Sequence, residues 1–90
     1  VNKSINYHLG QCIKELRRQK GLTQVEFSEK CGFYQTYLSR IENGLSNPTI
    51  NAIEIVANAL EMSVYELFEF MQISDTKRKK PGVIHRIGKK

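Results

Sequence analysis

No run of residues stays apolar for the roughly 18 positions that a membrane-spanning helix needs, and the N-terminus lacks the charged, apolar and small-residue regions of a secretory signal. A cytoplasmic chain is therefore expected. The start at Val1 instead of Met points to a processed or trimmed terminus, and no reading is built on residues 1–4. Cysteine is scarce: Cys12 and Cys31 form no CxxC pair and are too few for a disulfide scaffold or a structural zinc site. Both are read as free thiols used in packing, because no cluster of cations surrounds either to make it a redox sensor. Only 2 prolines and 6 glycines in 90 residues exclude a collagenous or linker-like chain. A chain of this length holds one small domain and leaves no room for a second. The chemistry of an enzyme is also missing, with no nucleophile beside a base, no paired carboxylates in a plausible cleft and no phosphate-binding glycine loop. His8 and His85 stand singly, so neither a metal nor a cofactor is expected.

What the chain does contain is strongly segregated charge. Residues 1–40 carry seven cations (Lys3, Lys14, Arg17, Arg18, Lys20, Lys30, Arg40) and three acids (Glu15, Glu26, Glu29). Residues 41–75 have no Lys or Arg and six acids (Glu42, Glu54, Glu61, Glu66, Glu69, Asp75). Residues 76–90 then add seven cations and no acid, bringing the whole chain to a net charge of +5. One end of the molecule is thus suited to meet an anion, although a solvated surface with a basic tail would give the same count.

Hydrophobic spacing predicts five short helices and no sheet, an all-α fold. Ile5, Leu9, Cys12, Ile13 and Leu16 recur at three- and four-residue intervals, marking a helix over about 5–20 that Gly21 ends. Thr23 and Glu26 form a capping box for a second helix with Val25, Phe27, Ser28 and Cys31 inward, stopped by Gly32. A third, from Gln35 to Asn43, turns Leu38 and Ile41 inward with Tyr37 beside them. Thr49 caps a fourth, with Ile50, Ile53, Val56, Ala57 and Leu60 facing the core. Ser63 and Glu66 open a fifth whose inner stripe is Val64, Leu67, Phe68 and Met71.

Two short helices joined by a tight glycine turn make a helix-turn-helix, in which the second helix enters the DNA major groove. At 100° per residue Gln35, Thr36, Ser39, Arg40 and Asn43 share the exposed face of the third helix. Gln suits adenine N6/N7 and Arg suits guanine O6/N7, so this face has the chemistry of a base reader. A generic solvated face has the same residue types, and helix chemistry alone leaves both readings open.

The run from Leu22-Thr23-Gln24 through Gly32-Phe33, then Thr36 to Ile41-Glu42-Asn43-Gly44, then Asn47-Pro48-Thr49, closely resembles the lambdoid repressor/Cro-type helix-turn-helix family. It is most similar to small stand-alone members such as restriction–modification controller proteins, over about residues 9–68. The resemblance implies a compact five-helix domain that regulates transcription. It implies that Gln35, Thr36 and Arg40 approach bases, and Ser39 lies on the same face. Gln24 would bind a phosphate and brace Gln35, while Thr23, Asn43 and Ser46 would hold further phosphates. Arg17 and Glu42 match the family's internal ion pair, with part of the Arg17 guanidinium left for a phosphate. Tyr34 departs from the usual Ser or Thr cap of the recognition helix; stacking on the sugar-phosphate backbone and packing over the turn are both open. For Tyr37, a phosphate contact and core packing are likewise open.

One domain reads half a site, so a spare apolar surface for a second copy is expected. Ile55, Tyr65, Phe70 and Ile73 fall outside the inner stripes and form the expected dimer interface. The domain is taken as residues 5–73, followed by a basic and flexible tail over 74–90 that adds phosphate contacts or, through Val83–Ile87, binds a partner. The expected function is a homodimeric regulator on an inverted-repeat operator, with double-stranded DNA as its partner and RNA polymerase as a possible second one. The alternative is an antitoxin-type protein that binds a toxin as well as DNA.

Overall fold

The Ser4 hydroxyl accepts the Tyr7 N–H and opens α1 (Ile5–Gln19), whose last turn carries Arg17 and Arg18 against the negative end of the helix dipole. The computed structural model describes residues 4–78, with side chains as far as Ile73. Four further helices follow: α2 (Gln24–Cys31), α3 (Gln35–Glu42), α4 (Ile50–Ala59) and α5 (Val64–Arg78). No strand occurs among the described residues. Both capping boxes form reciprocally, Thr23 with Glu26 at 2.9 and 3.1 Å and Ser63 with Glu66 at 2.8 and 3.0 Å. Gly32, at φ 76°, reverses the chain after α2, a conformation that costs an L-residue roughly 1–2 kcal/mol.

α5 continues past the boundary expected at residue 73, its backbone helical through Arg78. The tail's remaining cations and the Val83–Ile87 stretch lie outside the described residues.

The core joins Leu9, Cys12 and Ile13 of α1 to Phe27, to Leu38 and Ile41 of α3, and to Val56, Ala57, Leu60, Leu67 and Met71. Burial of each large member contributes about 1.5–3 kcal/mol. Five side chains depart from the expected stripes. Ile5, Val25 and Ile50 are exposed because each sits in the first turn of its helix, where neighbouring helices do not reach. On α5, Phe68 and Phe70 differ from expectation in opposite senses: Phe68 is 37% exposed, while Phe70 packs against the core. At 100° per residue Phe68 and Phe70 lie about 80° to either side of the line between buried Leu67 and Met71, so the neighbouring helices, not the helical angle, decide that Phe70 is the one covered. Phe70, expected in the dimer surface, is half-buried.

Cys12 is buried and Cys31 half-buried, neither in a disulfide, and the Cys31 thiol is pushed up to about 11 by burial against the opposing effect of Lys30. Among the described residues, no helix is long and apolar enough to cross a membrane.

One close approach fixes the functional half. A Cβ on Gly10 would lie 2.3 Å from the Ile41 carbonyl oxygen and 2.5 Å from that of Glu42. α1 therefore rests directly on the C-terminal backbone of α3, which only glycine permits.

Candidate nucleic-acid interface

The turn after Gly32 delivers α3 with Leu38, Ile41 and Glu42 buried beneath it. Gln35, Thr36, Arg40 and Asn43 remain exposed and Ser39 half-buried, so the polar residues expected on one face share it. Tyr34 makes no side-chain cap for α3 and stands 85% exposed, not packed over the turn. Tyr37 packs edge-to-face on Phe33, ring centroids 5.0 Å apart at 72°, and is half-buried beside the core.

Beneath the face lies a buried polar network. Arg17 grips Glu42 with two bonds, Nε to Oε2 at 2.7 Å and Nη2 to Oε1 at 3.0 Å, and donates Nη1 to the Leu22 carbonyl at 2.8 Å. With side chains 7% and 1% exposed, this pair is sealed from solvent. All three guanidinium nitrogens bond within the protein, and the side chain is only 7% exposed, which leaves one N–H on each of Nη1 and Nη2 for the phosphate contact expected of Arg17. The Glu42 carboxylate also accepts Gln24 Nε2 at 3.0 Å, and Gln24 Oε1 accepts Gln35 Nε2 at 3.5 Å. Gln24 and Gln35 are thus brought together.

The rim of the face is held by the backbone. Thr23 caps α2, and the N–H groups of the first turn at Gln24 and Val25 have no acceptor within the helix, a geometry that suits an anion. After α3, Arg40 Nη2 donates to the Leu45 carbonyl at 2.7 Å, and Asn43 Nδ2 to Ser39 Oγ at 3.4 Å. Asn6 and Asn47 pair through their side-chain amides, which ties the loop carrying Ser46 to the start of α1. Gly44 completes that tie, because a Cβ there would lie 2.8 Å from Tyr7 Cα.

Several of these features escaped sequence reasoning. Leu45 is exposed at the end of the reading face, and periodicity cannot place a loop residue. Gly10 carried a signal, since glycine inside a helix costs about 0.5–1 kcal/mol and implies a close neighbour. The Asn6–Asn47 link carried none.

The residues expected to dimerise are distributed differently. Ile55, Tyr65 and Ile73 are exposed. A hollow between α4 and α5 is lined by Ile50, Glu54, Val64, Tyr65 and Phe68, and a second by Ile5, His8, Phe68 and Met71. The apolar surface thus passes through Phe68, which the two hollows share.

A glycine-turned pair of helices with a polar second face over a buried support defines the class: a helix-turn-helix DNA-binding domain. A helix-turn-helix family model matches residues 13–67. The HTH-type transcriptional regulator y4dJ of Sinorhizobium fredii, itself uncharacterised, is 46% identical over 59 residues, 66% of this chain and 77% of that protein. The wild-type restriction-modification controller protein C.Esp1396I superposes with a TM-score of 0.77 at 30% identity, covering 84% of this chain and 99% of that one. The same controller as a tetramer on its natural 35 base-pair operator gives 0.73 at 32% identity, over 79% of this chain and 95% of that one. SinR in complex with DNA gives 0.62 at 43% identity, over 67% of this chain and 97% of that chain. Full-length SinR of Bacillus subtilis is longer, and the matched region spans 56% of it. The chain belongs to the helix-turn-helix family of DNA-binding transcription regulators.

Proposed function

We propose that the protein binds DNA sequence-specifically as a homodimer, each copy laying α3 into the major groove of one half of an inverted repeat. The observation that carries this reading is the exposed Gln35–Thr36–Ser39–Arg40 face seated on a buried Arg17–Glu42–Gln24 network, a base-reading surface on a rigid support. The relatives that form complexes with DNA support the same use of the fold. Gln35 offers an amide to adenine. Arg40 offers its guanidinium to guanine, exchanging the bond it makes to the Leu45 carbonyl or using its remaining donors. Thr23, Gln24, Asn43 and Ser46 surround this face and take phosphates, with the Tyr37 hydroxyl at its border.

Dimerisation falls to the opposite half, where Ile55, Tyr65 and Ile73 are joined by Ile50 and Phe68 as exposed apolar surface. The acids of α4 and α5 concentrate there, which keeps that half away from phosphates. Selection of bound sites from a random duplex library near physiological salt tests the proposal. One inverted repeat, with half-sites about one helical turn apart, is the expected product. A folded dimer that enriches no motif would overturn it and direct attention to a protein partner, such as the toxin of the alternative reading.

A further inference from the structure

The Arg17–Glu42 pair is more than a clasp between α1 and α3, because its outer carboxylate oxygen also accepts a hydrogen bond from the side chain next to the base reader. An ionised carboxylate only accepts hydrogen bonds, whereas a Gln amide has a donating end and an accepting end. Glu42 therefore dictates which end of the Gln24 amide faces inward: Nε2 donates to Glu42 Oε1 at 3.0 Å, and Oε1 must point outward. That outward oxygen meets the Gln35 amide, whose Nε2 donates to it at 3.5 Å. The polarity set by one buried charge is thus passed through two amides to the exposed end of α3.

The geometry points to Glu42 as a specificity-determining positioning residue, which acts through Gln24 to fix the orientation of the Gln35 amide. The inference rests on the proposed role of α3 as a base reader. With the amide fixed, Gln35 presents its free Oε1 and its second Nε2–H to the groove in one order. That order matches adenine, which offers an N6 donor beside an N7 acceptor. An amide free to turn over by 180° would present the opposite order equally well. It would then discriminate poorly among base pairs at its position while losing no phosphate contact. Arg17 belongs to the same device, since its two bonds to Glu42 hold the carboxylate in place.

The test keeps Gln24 and Gln35 intact and removes the charge behind them. Removing one partner alone would leave an unpaired buried charge, so the pair is replaced together, as R17M/E42L. R17Q/E42Q serves as a second variant that keeps polar groups but allows either hydrogen-bond polarity. Circular dichroism and melting establish which variants fold. The base position read by Gln35 is found first, as the one whose preference is lost in Gln35→Ala with the selected duplex and its single-base substitutions.

The expected result is a loss of discrimination of about tenfold at that position alone, with the other positions and the affinity for random duplex unchanged. Adding Gln24→Met to either double variant should remove nothing further at that position, because the relay is already cut. A folded double variant that retains the original preference at the Gln35 position overturns the relay. Uniform weakening at every position, the mark of a merely structural pair, overturns it too. Failure of the parent protein to select any motif is a different outcome, and it removes the base-reading role of α3 together with the relay.

Discussion

The two halves of this small domain solve their turns and their charges differently. In the half made by α1, α2 and α3, every left-handed residue is a glycine: Gly21, Gly32 and Gly44, with φ between 74° and 76°. In the half made by α4 and α5, the left-handed residue is Glu61, at φ 64°. The first half also seals its ion pair, with Arg17 and Glu42 nearly inaccessible. The ion pair of the second, Glu61 with Lys20 at the C-terminal cap of α1, is exposed and 3.4 Å long. Accurate positioning is thus concentrated in the half that carries the reading helix, and the other half tolerates a strained turn and open apolar surface.

That contrast is sharpest where charge is buried. Arg17→Met should destabilise the fold by about 3–5 kcal/mol, because the Glu42 carboxylate would remain buried without its guanidinium. Denaturant melting measures this, and Lys20→Met in the exposed pair should change stability by less than about 1 kcal/mol. Similar losses for the two variants would erase the distinction between the halves.

Next in size is Gly10→Ala. The added methyl would press on the Ile41 and Glu42 carbonyl oxygens at 2.3 and 2.5 Å, and backbone cannot yield as a side-chain tip can. A cost of about 1–3 kcal/mol is expected from overpacking, together with displacement of α3. Binding to the selected duplex should therefore weaken more than stability alone explains, as a titration at a temperature where the variant is fully folded would show. Retention of parental affinity there would mean that α3 is not held by this contact.

The opposite half is probed by two phenylalanines two residues apart on α5. Phe68→Glu should leave a folded protein that sediments as a monomer at low micromolar concentration, since Phe68 joins the two apolar hollows and is not needed in the core. Phe70→Glu should instead lose stability, because Phe70 packs against the core. If the Phe68 variant remains dimeric while folded, the interface lies elsewhere on the domain.

The same two residues mark where reading a sequence stops. All five helices were legible, because apolar spacing, two capping boxes and the glycine stops all agreed. The choice between Phe68 and Phe70 was not, since both border the Leu67 stripe and only the position of neighbouring helices decides which is covered. In the interface, the polar face of α3 followed from its helical angles. Hydrogen-bond polarity from Glu42 to Gln35 did not, because it depends on distances between residues 18 and 11 positions apart. The extension of α5 past residue 73 was obscured by the polar and charged run of Ser74 to Arg78, which has no apolar period.

Glu61 supplies the smallest expected effect and the most direct comparison of the halves. An L-residue in the left-handed region is strained by roughly 1–2 kcal/mol, and glycine is not, although glycine loses more freedom on folding. Glu61→Gly should therefore stabilise the protein by at most about 1 kcal/mol, the exposed bond to Lys20 being worth little against the relief. A thermal melt reads the sign directly. Because the turn lies between α4 and α5, remote from α3, binding to the selected duplex should stay unchanged at a temperature where both forms are folded. A destabilised variant would show instead that the Lys20–Glu61 contact does structural work in joining α1 to this turn. The weaker half would then be tied to the stronger one by charge, and the difference between them would be smaller than their turns suggest.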